Sequence, residues 1–201
     1  GEDGVAQSYF EYLKIPYTHS GVISSFNAMN KIISKKIFKK KKIRSPLYFV
    51  LKKKTFNKTK LNKILKKKGM NFPLVIKPVN EGSSIGVRIC KNIFEFNKSL
   101  KFLFKKYIEL IIESYVGGQE IQVAVLNNTP LGAIELEPKR KFYDYKAKYS
   151  KAAKTKHIMP ANLKKSKYNE VLKIAKKAHK ILCCKGVTRS DFKFFKNQFY
   201  L

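Results

Sequence analysis

The sequence predicts an α+β protein, and three observations carry that reading. Apolar residues recur at helical spacing: Leu61, Ile64 and Leu65 within residues 58–68, Phe96, Leu100, Leu103 and Phe104 after Asn92, and Val171, Ile174, Ala175, Ala178 and Ile181 within 166–182. Leu74-Val75-Ile76, bounded by Pro73 and Pro78, reads as a short buried strand. Two longer runs, 120–126 and 131–137, read as strands joined by the turn residues Asn127-Asn128-Thr129-Pro130.

The remaining elements follow in order. Residues 7–13 read as a helix with Tyr9, Phe10 and Leu13 on one side, 15–17 as a short strand and Ser20-Gly21 as a turn. A second helix is expected from Ser24 or Ser25 through Lys36. Residues 47–51 form a strand after Pro46, and Gly69 caps the end of the 58–68 helix. The 74–76 strand pairs with 87–90 as a hairpin, Asn92 caps a helix, and 108–113 is a strand. Residues 138–156 are irregular. Rough alternation over 187–195 predicts a strand, and Lys196-Asn197 turns into a last one. There is no internal repeat and no low-complexity linker.

Composition bounds the class. The chain has 201 residues, a net charge of +31 and 44% hydrophobic residues, enough for a real core and too many for a disordered tail. No apolar run reaches the length of a membrane span and no signal peptide is visible. Cys90, Cys183 and Cys184 do not suggest a disulfide framework, so a reducing cytoplasm is the natural reading. The charge raises a nucleic-acid hypothesis. Against it, arginine, the better residue for bidentate contacts, occurs only at Arg44, Arg88, Arg140 and Arg189. The lysines are spread with Asn, Ile and Phe, as a bias toward A/T-rich codons would give. Weak binding to polyanions at low salt is expected, and specific nucleic-acid recognition is not. Aspartate occurs only at Asp3, Asp144 and Asp191.

Three segments carry chemistry. Lys77 stands at the edge of an apolar strand, and Gly82-Ser83-Ser84-Ile85-Gly86 follows. A fixed cation beside free amides and hydroxyls suits phosphate, while an ordinary hairpin turn is the plain alternative. Phe142-Tyr143-Asp144-Tyr145-Lys146-Ala147-Lys148-Tyr149 lies in the long irregular stretch, where a functional loop or an aromatic cluster sealing a sheet edge would fit. Arg189 and Asp191 are two apart on a strand and share one face, as a structural ion pair or as an anion clamp with a magnesium ligand. His19, His157 and His179 lack metal-ligand spacing.

In this order, together with Gly1-Glu2-Asp3-Gly4 and Ile15-Pro16-Tyr17-Thr18-His19-Ser20-Gly21-Val22, these segments resemble the D-alanine–D-alanine ligases of the ATP-grasp group. The resemblance covers nearly the whole chain. It implies an ATP-grasp fold with the tail of an N-terminal domain at 1–30, a central lid domain at 31–117 and part of a C-terminal domain at 118–201. It also implies a piece cut at both ends and inactive by itself, belonging to a cytoplasmic enzyme that is a homodimer at full length. That enzyme would join two D-alanines with ATP and magnesium, or manganese in its place, for cell-wall precursor synthesis. Another ATP-grasp carboxylate–amine ligase is the alternative.

The resemblance assigns roles residue by residue. Lys31 and Lys77 match lysines on the α- and β-phosphates, and Lys148 matches one on the γ-phosphate. Ser84 would donate to phosphate. Glu113 matches the acid that meets the adenine amino group, Tyr115 and Val116 line the adenine, Phe142 packs on the ring and Glu120 meets the ribose. Arg189 would stabilise charge on the tetrahedral intermediate, and Asp191 would bind magnesium. Ser83 and Tyr149 match a pair that fixes the substrate, with tyrosine at 149 favouring D-alanine over D-lactate. Asn30 stands where the family usually has Asp, Lys146 replaces a usual Glu, and Thr188 replaces a common Gly or Ser.

Overall fold

The computed structural model describes residues 2–55, 61–137 and 155–201. The chain forms two compact units, one of residues 1–45 with 117–201 and the other of residues 46–116.

Three short helices open the chain: α1 (Val5–Tyr12), α2 (Val22–Met29) and α3 (Lys31–Lys40). The expected strand at 15–17 does not form. The Ile15 N–H instead donates to the Phe10 carbonyl at 2.8 Å, closing the end of α1. The expected single helix through Lys36 is two helices, because Asn30 leaves helical geometry with ψ of 103°. Its side-chain oxygen then accepts from the N–H groups of Ile32 and Ile33 and caps α3.

Residues 46–116 hold β1 (Tyr48–Lys52), a 3-10 turn (Lys53–Thr55), α4 (Leu61–Lys68), β2 (Leu74–Pro78), β3 (Arg88–Cys90), α5 (Ile93–Leu103) and β4 (Glu109–Ser114). The strands form one antiparallel sheet in the order β1-β4-β2-β3. Strand alternation sends Phe49, Leu51, Leu74, Ile76, Cys90, Leu110 and Ile112 to one face. There they join Leu61, Leu65, Phe96, Leu100 and Leu103 of the two helices in one core. Asn92 caps α5 as expected, accepting from Glu95 N at 2.9 Å. The opposite face carries Val75, Lys77, Ile111 and Glu113.

The C-terminal part adds β5 (Gln119–Leu126), β6 (Thr129–Glu137), β7 (Lys156–Ile158), α6 (Lys165–Ile181), β8 (Val187–Phe195) and β9 (Gln198–Tyr200). These strands make a second antiparallel sheet in the order β7-β6-β5-β8-β9. Ile121, Val123, Val125, Ala133 and Phe192 pack with Val171 and Ala175 of α6. The other face of the sheet carries Glu120, Gln122, Arg189, Asp191 and Lys193.

The unit boundary near the start of the lid differs from the sequence expectation of residue 31. Phe38 and Ile43 pack with Ala178, and Ile174, Ile181 and Leu182 lie against them. That apolar contact joins α3 to α6, so residues 31–45 belong with 117–201.

Candidate functional site

In the unit of 46–116 the site grows from strand register. Val75 faces Glu113 across β2 and β4, and Lys77 faces Ile111. Lys77 and Glu113 are therefore diagonal neighbours on one face. The Lys77 Nζ donates to Glu113 Oε2 at 2.6 Å, and the Glu113 side chain is only 4% exposed. A carboxylate so buried needs a cation beside it, and among the described residues Lys77 supplies one. Tyr48 stands opposite Glu113 on β1. Burial, and then the Glu113 charge, push its hydroxyl pKa up.

The turn after β2 is built from left-handed residues. Gly86 has φ of 71°, and a Cβ there would stand 2.6 Å from the Pro78 ring. Its left-handed backbone and this close packing both call for glycine there. The serines are left-handed as well, with φ of 49° at Ser83 and 61° at Ser84. Each left-handed non-glycine residue costs about 1 kcal/mol, and two in succession mark a turn held for a reason. Turn bonds from Ile85 N to Gly82 O and from Val87 N to Ser84 O fix it. Tyr115 is exposed, Val116 is half-buried, and the Tyr115 N–H donates to the Pro73 carbonyl.

In the other unit, Glu120 and Lys193 are register partners, with Nζ and Oε2 2.9 Å apart. Asp191 lies opposite Gln122 and Arg189 opposite Ala124, so all share the face away from α6. The Arg189 Nε and Nη2 meet the two Asp191 oxygens at 2.7 and 3.1 Å. Lys31 is the first residue of α3. A cation there opposes the helix dipole, a placement that favours a nearby anion. Phe142, Lys148 and Tyr149 lie outside the described residues.

Sequence reasoning passed over Gln122 and Lys193. Gln122 is 8% exposed, and both side chains share a sheet face with Asp191. The signal was present, since each lies two residues along a strand from an assigned acid. Lys35 was also missed. It is buried one helical turn beyond Lys31, although the chain's lysines read as solvated.

Among the described residues no group of three or more His, Cys, Asp and Glu side chains is placed to hold a metal. Magnesium commonly takes one or two carboxylates with phosphate oxygens and water, so Asp191 fits as a single hard oxygen ligand. A cleft of about 400 Å³ lined by Phe10, Glu11, Tyr17, His19 and Lys185 contains none of the assigned residues.

Comparison with known proteins gives this geometry a context. Residues 37–201 match the family model described as D-ala D-ala ligase C-terminus. The chain is 57% identical to a D-alanine–D-alanine ligase of Pelagibacter ubique, over all of this chain and 65% of the relative. Crystal structures of a D-alanine–D-alanine ligase from Bacillus anthracis superpose on the whole chain. One has a TM-score of 0.84 at 34% identity, covering 64% of that protein. Another, complexed with ATP, has 0.82 at 29% identity, covering 62%. The chain thus spans less than two thirds of the length of each. Its helices and two antiparallel sheets are an ATP-grasp fold. The family match over most of its length and the full superposition together place the chain in the D-alanine–D-alanine ligase family.

Proposed function

We propose that the whole protein, in the cytoplasm and as a homodimer, joins two D-alanines into D-alanyl-D-alanine with conversion of ATP to ADP, for peptidoglycan precursor synthesis. The observation that carries the reading is the Lys77–Glu113 pair, with the left-handed Ser83-Ser84 turn following β2 along the chain. It sets a cation, a buried acid and a fixed turn on one small unit, which is what a nucleotide requires.

A carboxylate oxygen of the first D-alanine attacks the γ-phosphorus and ADP leaves. The amine of the second attacks the resulting acyl carbon, loses a proton, and phosphate departs. The difficulty is bringing carboxylate and triphosphate together, since both are anionic. Lys31, Lys77 and Lys148 offset the phosphate charge, and Ser84 donates to a phosphate oxygen. Glu113 accepts from the adenine amino group, Tyr115 and Val116 line the base, Phe142 packs on its ring, and Glu120 accepts from the ribose. Arg189 stabilises the oxyanion of the tetrahedral species. Ser83 and Tyr149 hold the substrate, and Tyr149 favours D-alanine as the second one. Asp191 would hold magnesium, or manganese in its place, which when bound offsets charge on the phosphate oxygens.

The test is ADP release by the protein expressed with any residues that flank these 201 in its reading frame. Turnover should require D-alanine, and Lys148→Ala should abolish phosphate transfer in a folded protein. ADP formation independent of D-alanine would overturn the reading, and turnover retained in the variant would remove Lys148 from its role.

A further inference from the structure

His179 is a buried titratable side chain that the proposed chemistry leaves unused. It lies on the inner face of α6 and is 2% exposed. Its Nδ1 is 2.8 Å from the Thr188 hydroxyl on β8. Its Nε2 is buried with no hydrogen-bond partner among the described residues. Burial, the larger influence, lowers its pKa. The ring is therefore neutral near pH 7. Whichever nitrogen carries the proton, one ring nitrogen goes unsatisfied, and an apolar residue of similar size would avoid that penalty.

Thr188 pairs with Val125, whose side chain belongs to the core beneath the sheet, whereas Arg189 projects from the opposite face. The segment leading into β8 is held as well. Ser20 Oγ accepts from Lys185 N and donates to Lys185 O, and Gly186 N donates to Asn127 Oδ1. A Cβ on Gly186 would stand 1.9 Å from the Thr18 carbonyl oxygen. The entry to β8 is thus fixed along the backbone by these bonds and from below by one side-chain bond.

We propose that His179 is a positioning residue, which through Thr188 fixes the start of β8 and so the placement of Arg189 over the reacting carbonyl. This rests on the role proposed above for Arg189. A strand shifted slightly along its axis would carry the guanidinium away from the developing oxyanion, and small misplacements of that kind cost rate steeply.

The test separates position from stability. His179→Phe with Thr188→Val removes both polar partners together, and the double variant should melt within a few degrees of the parent. In the protein with its flanking residues present, kcat should nevertheless fall about tenfold, with KM for ATP unchanged. His179→Asn, which keeps a polar atom near the place of Nδ1, should restore most of the rate. Undiminished kcat in the folded double variant would overturn the proposal. Arg189→Ala is the control. If it lowers kcat while the double variant does not, only the His179 inference falls. If Arg189→Ala leaves kcat unchanged, the role of Arg189 falls and the inference with it.

Discussion

Arg189 holds both oxygens of Asp191, with Nε 2.7 Å from Oδ1 and Nη2 3.1 Å from Oδ2. The two residues are adjacent on one face of β8 and both are substantially exposed. The pair is thus a surface fork, worth no more than about 1 kcal/mol to the fold. Asp191→Asn should leave the urea midpoint almost unchanged, while turnover falls by two orders of magnitude or more and its dependence on magnesium concentration weakens. Chemical denaturation and a magnesium titration of ADP release measure the two outcomes. A large loss of stability would mean that Asp191 serves the fold first.

Lys77 and Glu113 behave oppositely, because the acid is buried. Lys77→Met removes the cation that stands 2.6 Å from a nearly enclosed carboxylate. Losing one partner of a fully buried pair costs about 3–5 kcal/mol, and the partial exposure of Lys77 reduces the expectation to about 2 kcal/mol. Adding Glu113→Gln removes the acid's charge as well and should recover most of that loss. Urea unfolding of the single and double variants gives the coupling. Additive losses would show that the two groups do not depend on one another.

Helix α6 ends with Cys184 N donating to His179 O and Cys183 N to Lys180 O, and Cys183 has φ of 54°. A left-handed cysteine there costs about 1–2 kcal/mol, whereas glycine loses about 0.5–1 kcal/mol of chain entropy instead. Cys183→Gly should therefore stabilise the protein by about 0.5 kcal/mol, raising its melting temperature by a degree or two. The Ser24 hydroxyl bonds the Cys183 carbonyl, so that contact survives the change.

His179 also gives stability an acid limb. Its pKa in the folded protein lies below the unfolded value. Above about pH 6.5 both states are neutral and the group has no effect. As pH falls below that value, the unfolded chain takes up a proton that the folded one refuses. Stability then drops by at most about 1.4 kcal/mol per pH unit until the folded pKa is reached. In His179→Phe/Thr188→Val this part of the slope should vanish. Urea midpoints at pH 7.5 and 5.5 measure it, and an unchanged slope would assign the acid sensitivity to other groups.

Most strands of both sheets were legible because alternation and Pro or Gly boundaries are local signals, but the three-residue β7 at Lys156–Ile158 was not, being too short to show alternation and held by its pairing with β6. The break at Asn30 was not, since apolar spacing continues through Ile32 and Ile33 and only the cap geometry reveals two helices. Lys77 could be singled out from its place after Leu74-Val75-Ile76. Its partner could not, because Glu113 is 36 residues away and is delivered by the β2–β4 register. The serine turn was visible as a site, but one reason for Gly86 was not, since it lies in the Pro78 ring packed against it. His179 looked inert because its chemistry is a tertiary contact with Thr188, nine residues on.

The insertion of residues 46–116 between the two segments of the other unit gives synthesis a direction. A nascent chain has everything it needs to close the inserted unit's core once Val116 leaves the ribosome. Phe38 and Ile43, made earlier, have their partner Ala178 only after residues 117–178 have also been made. Until then they are unsheltered apolar surface, a natural hold for a chaperone. A ribosome stalled far enough past residue 116 for Val116 to have cleared the exit tunnel should carry a protease-resistant inserted unit behind residues 31–45 that are still readily cut.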